Sequence, residues 1–279
     1  MRRALVALAA LLLAACTSLP LPKEDTFHAS DADLGVTRIL HGSFVLELRG
    51  TRLLVDPWFY SGTWLQHAEP LGLLPDALPA VAAVLLTQDR SDHYDPDILA
   101  ELVRRDRVHR AIVPPMLADR VRALGFTDVV PLQAWEKVAV DGLEVTATPT
   151  SHDPSLLGYV VAAGPVQAYV AGDTRPFPEL VDVATAFPKL QVAILPIGGR
   201  RVAGVLRDMT PEQAADAAAL LEPAAIIPSD YGAGSSWFPL VWYTGSPVER
   251  FRAALKNAKL DDRLVVLEPG ESWHRYVAP

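Results

Sequence analysis

The sequence predicts an α/β protein in which two β-rich layers face each other and helices cover the outside. Its 279 residues include 24 prolines and 17 glycines, a density of turn residues that argues against a helical bundle. Short continuous apolar runs such as residues 81–86 and 192–197 recur and stop abruptly at polar or glycine positions, the pattern of buried strands. The element order also has a coarse two-fold rhythm, strands and then helix–strand units, twice, without a short sequence repeat. Half of the residues are hydrophobic, enough for a full core in one large domain or two fused halves. The formal net charge of −8 excludes a general nucleic-acid-binding face.

The chain opens Met1-Arg2-Arg3 and continues with an apolar run over residues 4–15 that ends Leu13-Ala14-Ala15-Cys16. A bilayer-spanning helix needs about 20 apolar residues, so this run is too short to cross a membrane and reads as a signal peptide. The small residues ahead of Cys16 resemble the lipobox of bacterial lipoproteins, which implies cleavage before Cys16 and lipidation of its thiol. The bland alternative is an ordinary secretory signal. Cys16 is the only cysteine, so disulfides and thiolate metal ligands are excluded. Cleavage would remove Arg2 and Arg3, making the mature chain two units more negative. A lipid anchor, not a basic patch, would hold it in the cell envelope at a membrane. Residues 16–34 then read as lipidated cysteine and tether, and residues 35–279 as the folded domain.

Strands are expected at 36–40, 43–48 and 52–57, with His41-Gly42 as a turn and Phe44, Leu46 and Leu48 alternating as in a half-buried strand. Residues 57–80, rich in Trp, Gly, Pro and Leu, read as a long loop. The strand at 81–87 leads to a helix from Pro96, with Asp95 as N-cap. A strand at 110–114 precedes a helix at 116–125 closed by Gly125. Strands follow at 128–132, 137–140, 143–149, 157–163 and 166–173. The remainder alternates: helix 178–187, strand 192–199, helix 211–222 capped by Thr210, a strand and loop over 224–232, helix 247–258 and closing strands over 263–276.

Residues able to bind metal recur at the ends of these strands: Asp92 and His93 after VLLT, His152 after VTATPT, Asp173 after AYVAG and Asp230 after AIIPS. A buried strand followed at once by His or Asp is a rigid platform for a site. Each instance alone is an ordinary turn; four in order are more telling. At this point the chain resembles the metallo-β-lactamase superfamily. Within it the nearest resemblance is to the branch of the L-ascorbate-6-phosphate lactonase and the N-acyl-phosphatidylethanolamine phospholipase D-like hydrolases. HGSFVLELRGTRLLVDPWF is similar to that branch's opening hairpin, VAAVLLTQDRSDHYD to its Thr-His-x-His-x-Asp-His segment, TPTSHDP to its third-histidine segment and AYVAGDT to the segment of its bridging aspartate. The late VAILPIGG, RDMTPEQAADAAALL and AAIIPSDYG complete the set, which covers nearly all of the chain from Val36. The resemblance implies a four-layer αβ/βα sandwich with the site on one edge.

Carried over by position, the resemblance splits the centre. One metal site would use Gln88, Arg90 and His152; the other Asp92, His93 and Asp230; Asp173 would be shared, and Asp208 replaces a histidine common before MTPE. A guanidinium stays protonated and has no lone pair to donate, so Arg90 reads as a fixed cation replacing a metal and pairing with Asp173 or a substrate anion. A two-metal centre is therefore not expected. Asp92, His93, Asp173 and Asp230, with His152 nearby, read as a one-ion site for a divalent Zn, Mn or Fe ion. Asp92, His152 and Arg90 are the candidates for the chemistry. Two readings stay open: a lipid-anchored hydrolase of an ester, amide, lactone or phosphodiester bond, and a non-catalytic envelope protein in which Arg90 neutralises the carboxylates. Arg200, Arg201 and Tyr231 are candidates for binding a small-molecule or lipid-like substrate. His41 approaches the site or merely turns the chain. Trp58, Trp64, Trp237, Phe238 and Trp242 wall a pocket or pack loops.

Overall fold

The structure is a computed structural model that describes residues 26–60, 65–151, 155–234 and 240–277. Cys16 with the leader before it, Trp64, His152, Trp237 and Phe238 lie outside the described residues. The main strands are β1 (Leu34–Leu40), β2 (Ser43–Leu48), β3 (Thr51–Val55), β4 (Ala83–Leu85), β5 (Arg110–Val113), β6 (Asp128–Pro131) and β7 (Lys137–Val140). They continue with β8 (Leu143–Thr148), β9 (Gly158–Ala163), β10 (Val166–Val170), β11 (Val192–Pro196), β12 (Ile226–Ser229) and β13 (Ser272–Arg275). β1 begins one residue inside the expected tether.

The strands form two sheets. One is seven-stranded in the order β13–β1–β2–β3–β4–β5–β6, and the other six-stranded in the order β12–β11–β10–β9–β8–β7. In each, hairpin-linked antiparallel strands give way to parallel ones, at β3 to β4 in the first sheet and at β10 to β11 in the second. This is the two-fold rhythm of the sequence made spatial. Phe44, Leu46, Leu48, Val145, Tyr159 and Ile194 meet between the sheets. Ile98, Leu99 and Leu102 of α1 (Pro96–Arg104) and Val121 of α2 (Ala118–Ala123) cover the outer face of the first sheet. α3 (Leu180–Ala186), α4 (Pro211–Leu221) and α5 (Pro247–Asn257) cover the second through Val183, Ala214, Ala218, Phe251 and Leu255. Four layers result, as the resemblance implied, and each fully buried Leu or Phe contributes about 1.5–3 kcal/mol.

Two expectations change. β2 is buried along its whole length, not half-buried, because Val45 packs outward into the helix layer while Phe44, Leu46 and Leu48 pack inward. In the closing segment only Ser272–Arg275 forms a strand; Leu264 makes an isolated bridge to Ile226.

The helix starts follow local chemistry. Asp95 caps α1 by accepting from the N–H groups of Asp97 and Ile98. It also accepts from Phe59 and Tyr60, pinning the loop after β3. Thr210 and Gln213 form a reciprocal capping box on α4, worth about 1 kcal/mol. No helix among the described residues is long and apolar enough to cross a membrane.

Candidate metal and anion centre

The β1–β2 turn and the chain just after β3, β4, β10, β11 and β12 deliver His41, Asp56, Gln88 to His93, Asp173, Arg200 and Asp230 to one edge of the sandwich. Three of these hold left-handed backbone, His41 at φ 51°, Asp56 at 41° and Asp230 at 61°, a conformation that costs non-glycine residues energy and gathers at functional positions. Gly42 makes the approach feasible, since a Cβ there would lie 2.9 Å from Asp230 Oδ1 and 3.1 Å from His93 Cε1.

One half of the centre holds lone pairs. His41, Asp92 and His93 are buried and each offers one ligand atom within 4.8 Å of the others. His41 Nε2 lies 3.4 Å from Asp92 Oδ2 and 3.5 Å from Asp230 Oδ1, and His93 Nε2 lies 3.3 Å from Asp230 Oδ1. A tetrahedral ion with ligands about 2.0–2.1 Å away separates them by about 3.3–3.4 Å. Both ring nitrogens of His41 and Asp230 Oδ1 are buried with no hydrogen-bond partner, an arrangement that costs energy unless something fills it. The residues therefore fit a divalent ion: two imidazoles and a carboxylate, with Asp230 beside them. Behind them, Asp56 accepts from His93 Nδ1 at 2.9 Å and from the Thr87 N–H at 2.7 Å, which orients His93 Nε2 toward the centre. Trp58 packs edge-on against His41 at 5.5 Å.

The other half is filled by cations. Arg90 grips both oxygens of Asp92 at 2.6 Å through Nε and Nη2, and its Nη1 donates to Asp173 Oδ2. That same Asp173 oxygen accepts from Gln88 Nε2 and Arg200 Nη2, each at 3.1 Å. Arg90 Nη2 also lies 3.1 Å from His93 Nε2, so Arg90 and an ion compete for Asp92 and His93.

The charges follow. Burial pushes Asp92 upward, but Arg90 and His93 outweigh it and hold the carboxyl well below its usual range. Burial lowers His93, yet Asp56 and Asp92 bring it up to about 10 in the ion-free protein; a proton then takes the place of an ion between His93 and Asp230. Burial raises Asp230, and its close contact with the His93 ring, 3.3 Å away, brings it down to about 2. Burial raises Asp208 to about 8 against the pull of Arg90. Burial and the Asp92 charge raise the Tyr243 hydroxyl, which is buried without a partner and so stays protonated.

Several site expectations are corrected. Asp173 does not sit with Asp92, His93 and Asp230 around one point, because Arg90 lies between; His41 takes that place. Gln88 offers its amide N–H, not a carbonyl, to the site. Arg200 enters the centre, but Arg201 does not, its guanidinium reaching the Gly204 carbonyl in the turn of its own hairpin. Tyr231 turns away: its ring lies beneath Arg38 at 4.2 Å and its hydroxyl reaches the Leu267 carbonyl at 3.4 Å. Trp242 is exposed. Asp56 and Tyr243 had no sequence signal, since Asp before Pro57 reads as a turn and Tyr243 sits in a Trp- and Pro-rich loop.

A fold of two facing mixed sheets with a His- and Asp-bearing edge defines a class. The beta-lactamase superfamily domain matches residues 51–230, and the chain belongs to the metallo-β-lactamase superfamily. It is 29% identical over 252 residues to a UPF0173 metal-dependent hydrolase of Methanopyrus kandleri, covering 86% of this chain and 99% of that one. It is 29% identical over 249 residues to one of Pyrococcus furiosus, covering 85% and 97%. Among solved structures, Igni18, a metallo hydrolase of Ignicoccus hospitalis, superposes with a TM-score of 0.69 at 24% identity over 88% of this chain and 99% of that one. CmlA, a diiron β-hydroxylase of Streptomyces venezuelae, gives 0.68 at 19% identity over 89% of this chain and 55% of its own.

Proposed function

We propose that the protein is a one-metal hydrolase acting on an ester, amide, lactone or phosphodiester bond, with His41, Asp92 and His93 holding a Zn, Mn or Fe ion. The observation that carries this reading is the convergence of those three buried ligands beside the unpartnered Asp230 Oδ1 and His41 nitrogens. The metal-dependent hydrolases among the relatives support it. A divalent ion there supplies Lewis-acid polarisation and activation of water. Arg90 supplies the second positive charge as a side chain. Asp56 holds His93 in the tautomer that presents Nε2. Tyr243 keeps its proton and offers a donor to negative charge developing at the centre. Asp208 holds a proton near neutral pH beside Arg200 and is positioned to exchange it.

Elemental analysis of protein purified without chelators tests this reading. The expected result is about one ion per chain, lost in His41→Ala and in Asp92→Asn but kept in Asp173→Asn. No ion after reconstitution with Mn or Zn sinks it. A second reading is favoured by one specific contact, the bridging of Asp92 and Asp173 by Arg90: a non-catalytic binding protein whose cation is built in. It predicts full folding and no ion under all loading conditions. We further propose that Cys16 carries a lipid that anchors the chain in the cell envelope. Mass spectrometry of the mature N-terminus checks this, and a soluble, unmodified chain overturns it.

A further inference from the structure

Two of the four arginines beside the centre have no carboxylate partner among the described residues. A cleft of about 280 Å³ is lined by Arg90, Arg175, Arg200 and Arg207, together with Gln88 and Ser151. Its two lining carboxylates are already committed: Asp173 to Arg90 and Arg200, and Asp89 to Arg120 at 3.1 Å. Asp92 offsets Arg90 from beneath. Asp208 Oδ2 lies 3.7 Å from Arg200 Nε. Among the described residues the Arg175 guanidinium bonds the Ser151 hydroxyl, at 3.4 Å, and neither it nor Arg207 has a carboxylate partner there. Arg200 Nε is buried without a hydrogen-bond partner. Arg175 and Arg207 thus bring to the cleft guanidinium N–H groups that no carboxylate of the described residues engages.

The far wall of this cleft is shared. Ser155 and Leu156 also line a larger pocket of about 710 Å³ whose other walls include Pro115, Met116, Ala134 and Leu157. A cationic cleft opening beside an apolar pocket has a chemical complement with an anionic end and an apolar end.

We propose that this two-part cleft binds an anionic amphiphile, a phosphate-type dianionic head group among Arg90, Arg175, Arg200 and Arg207 with an alkyl or acyl chain along Met116, Ala134, Leu156 and Leu157. The inference goes beyond the hydrolase reading and stands without it, because guanidinium recognition of an oxyanion requires no metal.

The test is a binding titration in EDTA with inorganic phosphate, butyl phosphate, octyl phosphate and octanol, each below its micellar concentration. Octyl phosphate is expected to bind tightest, with a gain of up to about fourfold per methylene over butyl phosphate. The double variant Arg175→Ala/Arg207→Ala should weaken every phosphate about tenfold or more and leave octanol unchanged. Met116→Asp, which lies in the apolar pocket and outside the arginine cleft, should cut the chain-length gain while inorganic phosphate binds as before. Arg201→Ala, which alters a neighbouring arginine outside the cleft, should change nothing. Equal affinity for butyl and octyl phosphate, or octyl phosphate binding that survives the double arginine variant, overturns the proposal. Loss of the metal reading leaves these outcomes intact, since no ion is present in the titration.

Discussion

The two halves of the centre solve the same electrostatic problem in opposite ways. Around Asp173, three side chains place N–H donors on one carboxylate oxygen, so the cation is covalently part of the chain. Around His41 and Asp230, a ring nitrogen and a carboxylate oxygen face each other at 3.5 Å. The first half carries its cations in the chain, although Asp173 Oδ1 and Arg200 Nε have no hydrogen-bond partner among the described residues; the second presents lone pairs that suit a proton or an ion. One scaffold can therefore carry a closed and an open site a few ångströms apart, and the single residue dividing them is Arg90.

Breaking that division should have the largest effect. Arg90→Ala leaves Asp92 and Asp173 buried without their main cation, and removing one partner of a buried pair costs about 3–5 kcal/mol. Urea unfolding in EDTA should show this loss, and added Zn or Mn should recover more of it than in the native protein, because the competitor for Asp92 and His93 is gone. An unfolding midpoint unchanged from the native protein would make the pair irrelevant. Gly42→Ala comes next. Its new Cβ would press on Asp230 Oδ1 and His93, and the expected cost is about 1–3 kcal/mol together with weakened metal retention, read by unfolding and metal content.

A sharper probe of the closed half is its pH dependence. Asp208 is raised by burial to about 8 from an ordinary 3.8. With the folded-state value raised, its stabilising contribution is full below 3.8 and is lost as pH rises through about 8. The Asp208→Asn variant should flatten the fall in stability between those limits; an identical slope in both proteins would show that Asp208 titrates normally. The smallest effect belongs to Gln88→Ala. Asp173 Oδ2 keeps its two arginine donors there, so the expected loss is about 1 kcal/mol, against about 3–5 for Arg90→Ala. Equal losses in the two variants would mean that the closed half is held by hydrogen bonding alone and not by charge.

The strand-end pattern was enough to bring Asp92, His93, Asp173 and Asp230 to one edge, because parallel strands in a layered fold expose their carboxyl ends together. It was not enough to say which of them converge. His41 was ambiguous because its place depends on the β1–β2 turn folding back over β12, an approach that rests on Gly42. Arg175 and Arg207 carried no signal at all. Each lies in an irregular segment, and their shared cleft joins chain that is far apart in sequence.

By itself the sequence determined the layers and the composition of the edge. Apolar runs, caps and turns are local, and local chemistry fixes where strands stop and which side chains they present. The chemistry at position 90 was also decided there, since no fold gives a guanidinium a lone pair. Only the tertiary structure decided that Arg90 separates Asp173 from Asp92 and His93, that His41 takes the vacated place, and that four arginines line a cleft beside an apolar pocket. Those outcomes depend on distances of a few ångströms between side chains from both sheets, which no periodicity along a single chain encodes.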